Sequence, residues 1–219
     1  MWKICEFELG AQQDAAKLAG MSTATEIARL KITLEDVEPA VVRRIEVPLR
    51  IRLDRLHAVL QAALGWSNSH FWEFRARDVG WGVPDKDWGD GPQDASKATL
   101  RAVLEDMGVK RLTYLYDYGD GWEHTIRIER IGEALPGELY PRLLDASGRC
   151  PPEDIGGPPG YAEFLEAMAD PNHPRHAELK EWYDADFDPN AVNVPAIQRQ
   201  LTDLAKRWSR SKAKRLQAP

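Results

Sequence analysis

The spacing of apolar residues divides the first part of the chain into short alternating and helical segments. Apolar and polar residues alternate over 30–34 and again over 41–47, and the turn-forming stretch 36–39 lies between them. This pattern predicts a β-hairpin. The leucines of segment 53–64 follow helical spacing, and Gly65 comes directly after them, at a position where helices often end. A helix is therefore predicted to follow the hairpin.

Further elements are predicted as far as residue 131. An aromatic strand spans 70–77. The stretch 80–95 is rich in glycine, aspartate and proline, which is typical of a long loop and of the places where function often resides. Thr99 can cap a short helix that runs through Met107. A second β-hairpin is predicted within 112–131.

The chain changes character after the second hairpin. Residues 134–160 are rich in proline and glycine, and three helices are predicted beyond them, at 161–168, from Pro174 and at 197–208. The order is thus strand, strand, helix, strand, helix, strand, strand, and then helices. It predicts an α+β protein with a mixed, mainly antiparallel sheet in a β-grasp-like order, backed by helices and extended by a C-terminal helical layer.

Charge narrows the classes of partner. The chain is 43% apolar and 29% charged, as in globular proteins, and its net charge is −6. Residues 133–190 hold thirteen acidic and four basic side chains, whereas 206–215 holds six basic ones and no acid. An acidic body with a short basic tail is not the footprint of a DNA-binding face. We interpret the tail as a solvated chain end.

Cysteine content and hydropathy point to a cytoplasmic protein. The two cysteines, Cys5 and Cys150, lie far apart and form no CxxC motif, which argues against a disulfide scaffold and a zinc ribbon. The first thirty residues contain no uninterrupted apolar run, and no later stretch approaches the roughly 18 apolar residues of a membrane span. We therefore expect no membrane association and a cytoplasmic location. The sequence leaves the oligomeric state open.

Three segments, 65–74, 116–124 and 149–161, concentrate the residue types that carry chemistry. Each combines acidic, histidine, cysteine or aromatic residues with glycine or proline, and rigid loops of this kind often form binding faces. We expect the three segments to lie around one concavity. The residues predicted to bind a ligand or partner there are His70, Glu73, Tyr116, Asp120, Trp122, Cys150, Asp154 and Tyr161.

The second hairpin permits a geometric prediction. If Asp120-Gly121 is a two-residue turn, Asp117 stands directly opposite His124 on the core side of the sheet. A carboxylate at that position raises the pKa of an imidazole and fixes its tautomer, as in a general base or a metal ligand. Together with Glu153, these two residues are the catalytic candidates. The alternative is a polar pair that only braces the hairpin.

A metal site is a second hypothesis for the same region. His70, His124 and Cys150 are the candidate metal ligands, and a divalent metal is the candidate cofactor, although their spacing matches no known motif. Alternatively, the carboxylates of the third segment cap the helix near Tyr161 or pair with Arg43 and Arg44, and Cys150 is a small buried apolar residue.

The chain resembles the plasmid pRiA4b ORF-3-like family in four motifs: VVRRIEVP, LHAVLQAALGWSNSHFWEF, YDYGDGWEHTI and CPPEDIGGPPGYAEFLEAMADPNHP. Val42 and Ile155 stand where that family often has Trp and Cys, and the second departure makes a site with several cysteines less favourable. The resemblance implies the family's fold and an association with plasmids and transposons, and it implies no reaction. It predicts the family's domain at 25–190. Apolar alternation predicts an N-terminal strand and linker at 1–24, and helical spacing followed by the basic run predicts a C-terminal helix with a basic tail at 191–219.

Some relatives in that family carry a resolvase-type label, which this sequence contradicts. A serine recombinase needs a nucleophilic serine among arginines and a basic recognition helix, and neither pattern is present. We expect instead an interaction module of a mobile element, which binds a protein or nucleic acid through its loop-rich face. The alternative is a metal-assisted or acid–base hydrolase that uses the region of Asp117, His124 and Glu153.

Overall fold

A single eight-stranded sheet forms the centre of the protein. The computed structural model describes residues 25–84, 91–183 and 186–216, so the predicted N-terminal strand and linker at 1–24 lies outside the described residues. The strands are β1 (Glu26–Leu34), β2 (Val42–Pro48), β3 (Trp72–Ala76), β4 (Val79–Gly82), β5 (Gln93–Asp94), β6 (Arg111–Tyr116), β7 (Trp122–Glu133) and β8 (Arg142–Ser147). Their order across the sheet is β5-β4-β3-β6-β7-β1-β2-β8.

Five helices in the described part of the chain accompany this sheet. They are α1 (Leu53–Leu64), α2 (Leu100–Met107), α3 (Gly157–Ala169), α4 (His176–Tyr183) and α5 (Val194–Leu216). Each strand pairs antiparallel with its neighbours except β4 and β5, which are parallel. The predicted α+β class, with a mixed and mainly antiparallel sheet, is confirmed. No helix among these residues is both long enough and apolar enough to cross a bilayer.

Local sequence signals explain the first hairpin and the first two helices. The alternating apolar residues Leu30 and Ile32 are buried, so one face of β1 lies in the core. Helix α1 ends where Gly65 adopts a left-handed conformation with φ of 88°, which costs glycine little. Helix α2 begins after Thr99, whose side chain accepts a hydrogen bond from the Ala102 amide at 3.3 Å.

Three strands lie in stretches for which the sequence pattern predicted no strand of their own. Strands β4 and β5 fall within 80–95 and its edge, and β8 falls within 134–160. Their sequences lack apolar alternation because β5 and β8 are edge strands and β4 is half glycine. Strand β8 is held partly by an ion pair of 2.9 Å between Arg44 of β2 and Asp145.

The three C-terminal helices form the predicted additional layer. The longest, α5, packs against α1 and against strand β8. It continues through the basic stretch to Leu216. Near its end, the guanidinium of Arg55 on α1 lies 5.1 Å from the centre of the Trp208 ring, which is a cation–π distance.

Candidate functional site

The β6–β7 turn differs from the predicted one. Tyr116 pairs with Trp122, and Tyr114 pairs with His124, so the turn contains five residues, 117–121. Asp117 has a φ of 58° and closes the turn itself, because its carbonyl oxygen accepts from the Gly121 amide at 2.7 Å. It therefore stands outside the ladder, and the predicted pairing of Asp117 with His124 is wrong.

His124 is a core residue. It is fully buried, and its Nδ1 donates to the carbonyl oxygen of Tyr114 at 3.1 Å. Trp66 packs against the imidazole in a T-shaped arrangement with ring centres 5.3 Å apart. Burial lowers the pKa of His124 to about 4, although hydrogen bonds with the backbone of Tyr114 and Trp122 oppose this shift. The expected rise in its pKa is thus also wrong, and the side chain is neutral at pH 7.

His70 lies instead between two aspartates from different loops. Its Nδ1 is 3.4 Å from Asp117 Oδ2, and its Nε2 is 3.2 Å from Asp154 Oδ1. Each of the three residues offers one ligand atom, and these atoms lie within 4.8 Å of one another. Nε2 is inaccessible to solvent and makes no hydrogen bond, although Asp154 Oδ1 is close to it. The imidazole therefore lies between the two carboxylates, and the three side chains form a compact group of the residue types that bind metal ions.

Backbone contacts hold the loops of this His70–Asp117–Asp154 cluster together. The Asp117 amide donates to the carbonyl oxygen of Phe71 at 2.9 Å, next to His70. On the other side, the Gly156 amide donates to Asp120 Oδ2 at 3.2 Å. Gly157, with a φ of 70°, lies so close to the Asp120 carbonyl that a Cβ atom there would overlap it. The three predicted segments therefore meet around one site.

Glu153 connects the same segments as a hydrogen-bond acceptor. Its carboxylate accepts from the Ser67 amide at 2.8 Å, from the Tyr116 hydroxyl at 2.5 Å and from Ser69 Oγ at 3.3 Å. Burial raises the pKa of Glu153, but the hydrogen bonds outweigh it, so the net shift is downward. Burial and the bonded Glu153 raise the pKa of Tyr116 to about 12. Glu153 is therefore an ionised brace whose oxygens are already occupied.

The other predicted binding residues lie around the cluster rather than in it. Cys150 is buried, and burial raises the pKa of its thiol above the ordinary range. Trp122 and Tyr161 are core residues whose buried polar atoms make no hydrogen bond within the described structure. Glu73 is bound by Arg75 at 2.8 Å. Of the predicted metal ligands, only His70 belongs to the group of three metal-ligating side chains found among the described residues. His124 and Cys150 lie outside that group.

Two exposed aromatic residues at the cluster were not predicted. Phe71 is 71% exposed and Tyr118 is 51% exposed, and their rings stack with centres 6.4 Å apart. They directly follow His70 and Asp117 in sequence. The alternation around β3 was the available signal for Phe71. Because Trp72 and Phe74 are buried, Phe71, which precedes them in the alternation, points to the other face of the strand.

Comparison with known proteins gives a consistent assignment. The uncharacterised protein y4hQ of Sinorhizobium fredii is 56% identical over 190 residues, which cover 86% of this chain and 97% of that protein. A crystal structure of a protein of unknown function from Methanosarcina mazei superimposes with a TM-score of 0.71 at 30% sequence identity, and the match covers 78% of this chain and 97% of that one. The pattern of the plasmid pRiA4b ORF-3-like proteins matches residues 26–196. This chain therefore belongs to the plasmid pRiA4b ORF-3-like family.

Proposed function

We propose that the protein is an interaction module that binds a partner protein through the loop face formed by 67–71, 117–121 and 150–156. A divalent cation held by the His70–Asp117–Asp154 cluster organises this face. The observation that carries the proposal is the contact of His70 with carboxylates from two separate loops. The name of the family supports an accessory role in a plasmid or other mobile element.

The donor set favours a transition metal ion. An imidazole suits Zn²⁺, Mn²⁺ or Fe²⁺, whereas sites for Mg²⁺ and Ca²⁺ consist of oxygen ligands. Three protein ligands leave coordination positions open in four- or six-coordinate geometry. A carboxylate of a partner can fill such a position, so the cation can link this face to another protein.

The surroundings of the cluster favour a protein as the partner over a nucleic acid. The exposed Phe71–Tyr118 stack is an apolar anchor of the kind found at the centres of protein interfaces. The three loops contain no lysine or arginine and carry Asp117, Asp120 and Asp154 in addition to Glu153. Phosphate backbones are bound by basic side chains, so an acidic face of this kind repels them.

Metal titration of protein prepared without a histidine tag tests the proposal. We expect calorimetry to detect one site for Mn²⁺ or Zn²⁺. His70→Ala and Asp154→Asn each remove a ligand and should weaken binding at least tenfold, the order of effect known for altered metal sites. Asp106→Asn removes one exposed acidic charge from helix α2 and should leave the affinity unchanged. Absence of binding to the wild type, or equal affinity in all variants, would refute the metal site.

The role of the Phe71–Tyr118 pair is tested by capture of partner proteins, and capture is required to depend both on Mn²⁺ and on Phe71. Proteins retained by the wild type should be lost both when Mn²⁺ is withheld and when Phe71 is replaced by Ser. Leu144→Ser removes an exposed apolar side chain from β8, away from the loop face, and should change nothing. Retention of the same proteins by Phe71→Ser would contradict the assignment of the partner surface.

A metal-assisted hydrolase is a second candidate, favoured by the open coordination positions of the cluster. A metal-bound water with a lowered pKa would be the nucleophile. His124 cannot serve as its general base because it is buried in the core, and the Glu153 oxygens are occupied. Hydrolysis of p-nitrophenyl esters or phosphodiesters that requires Mn²⁺ and is lost in His70→Ala would favour this candidate over the interaction module.

A further inference from the structure

A cleft of about 530 Å³ lies beside Trp66 and shares residues 150–153 with the loop face. Its walls are the end of helix α1, the segment 149–153 and the first turns of helix α5. The volume is in the range of small-molecule sites. None of the metal-cluster residues lines it, so the cleft is a separate site.

The deepest charged group of this cleft is Arg43, which is only 2% exposed. Its Nε donates to the Ala63 carbonyl at 2.8 Å, and its Nη1 donates to the carbonyls of Ser147 and Gly148 at 2.7 and 3.0 Å, as well as to its neighbour Val42 at 2.9 Å. These partners are all neutral, and no carboxylate forms an ion pair with Arg43 among the described residues. Burial accordingly lowers its pKa.

One nitrogen of Arg43 remains available to a ligand. Nη2 makes no hydrogen bond within the described structure. Unlike the buried polar atoms that lack a partner, it keeps some contact with solvent. It therefore reaches accessible space. A buried guanidinium without a counter-ion is unfavourable unless an anion approaches it, and the cleft provides the approach.

Two further features make the cleft favourable for an anion. Arg149 also lines it, and its guanidinium donates to the Tyr183 hydroxyl at 2.6 Å and stacks 4.5 Å from the Phe187 ring centre, with no carboxylate partner among the described residues. Helix α5 begins at the cleft, where the Asn193 side chain accepts from the Ala196 amide at 3.1 Å. The amino end of a helix adds partial positive charge.

The remaining polar groups of the cleft offset these charges only in part. Glu153 is the one acidic residue among those that line it, against two arginines, and its ionised carboxylate accepts hydrogen bonds from Ser67 and Tyr116. The Cys150 thiol stays protonated because burial raises its pKa. Apolar surface is present as well, from Trp66 and Ile197.

We propose that this cleft binds a small organic anion, whose carboxylate or phosphate lies against Arg43 and Arg149 while its apolar body contacts Trp66. Guanidinium N–H groups suit both oxyanions, because they form charge-assisted hydrogen bonds with carboxylate and phosphate, and Arg43 can contribute Nη2 to such a bond. The site is independent of the metal cluster and extends the function beyond the binding of a partner protein.

Calorimetric titration of the EDTA-treated full chain with phenyl phosphate, benzoate and benzyl alcohol tests the proposal. At least one of the two anions should bind, and the neutral alcohol should bind at least tenfold more weakly. Binding of phenyl phosphate alone identifies a phosphate ligand, and binding of benzoate alone identifies a carboxylate. Binding of neither anion, or of the alcohol as tightly as the anions, would overturn the proposal.

Two matched variants locate the site. Ala196→Asp introduces a carboxylate into the cleft near the start of α5, where acidic residues favour the helix, and should weaken anion binding at least tenfold without lowering the melting temperature. Gln198→Asp introduces the same residue on the exposed side of that turn and should bind as the wild type does. Gln200→Glu, also in the cleft, repeats the test if Ala196→Asp folds poorly. Unchanged binding in the cleft variants would refute the site, whereas Mn²⁺ titration of the same proteins reports separately on the metal cluster.

Discussion

Acidification from pH 7 to pH 5 is expected to destabilise the protein through His57 and His124. His57 lies between the Tyr114 hydroxyl, 2.8 Å from its Nδ1, and Asn68 Oδ1, 2.5 Å from its Nε2, and it stacks on Trp72 with ring centres 4.0 Å apart. Burial lowers its pKa to about 4, against opposing effects of Asn68 and Asp54. Burial likewise lowers the pKa of His124 to about 4.

The sign and the size of the effect follow from these values. In the unfolded chain both histidines bind protons near pH 6.5, whereas in the folded protein they do so only near pH 4. Their contribution to stability is complete above pH 6.5 and is lost progressively as the pH falls towards 4. Between pH 7 and pH 5 each histidine lowers the free energy of unfolding by about 2 kcal/mol, since a shift of one pKa unit corresponds to about 1.4 kcal/mol. The combined loss of about 4 kcal/mol is large compared with the free energy of unfolding of a typical protein, which is about 5–15 kcal/mol.

Urea unfolding between pH 7 and pH 5 measures this loss. The wild type should lose about 4 kcal/mol more than a variant that lacks both imidazoles, and His57→Gln and His124→Gln should each remove about half of that difference. The other histidines contribute equally to all of these proteins and cancel in the comparison. Equal pH dependence in the wild type and both variants, or an NMR titration of His124 near pH 6.5, would refute the reasoning.

Two further predictions concern stability. Arg43→Met leaves carbonyl groups buried without donors and should lower the free energy of unfolding in urea by at least about 3 kcal/mol. Arg44→Met breaks only exposed ion pairs and should lower it much less. Gly157→Ala should lower the free energy of unfolding at least twice as much as Gly137→Ala. Both glycines have positive φ, but only at Gly157 would the new methyl group overlap the Asp120 backbone. Equal melting temperatures of the two alanine variants would contradict the close approach of the loops.

The sequence was sufficient to predict a structural element where that element depends on residues close together in the chain. The alternation in β1, the Gly65 terminus of α1 and the Thr99 cap of α2 are local signals, and each has its predicted role. The turn after β6 was not predictable in the same way. Asp120-Gly121 is a favourable two-residue turn, but Asp117 adopts a left-handed conformation and starts a longer turn earlier in the chain.

The candidate site depended on long-range contacts and was predicted only in part. His70 and Asp154 both belonged to the expected binding set, yet their contact joins residues 84 positions apart. His124 and Cys150 were assigned as metal ligands from residue type alone. Their burial is set by packing from several elements, and no local pattern reports it.

The close approach of Gly157 to the Asp120 carbonyl constrains how members of this family can diverge. Because no side chain fits between the two loops, neither loop can change its path without a matching change in the other. Insertions in the 117–121 turn should therefore occur together with changes at 156–157. A chimera that takes one of these loops from a relative such as y4hQ should fold better when it takes both.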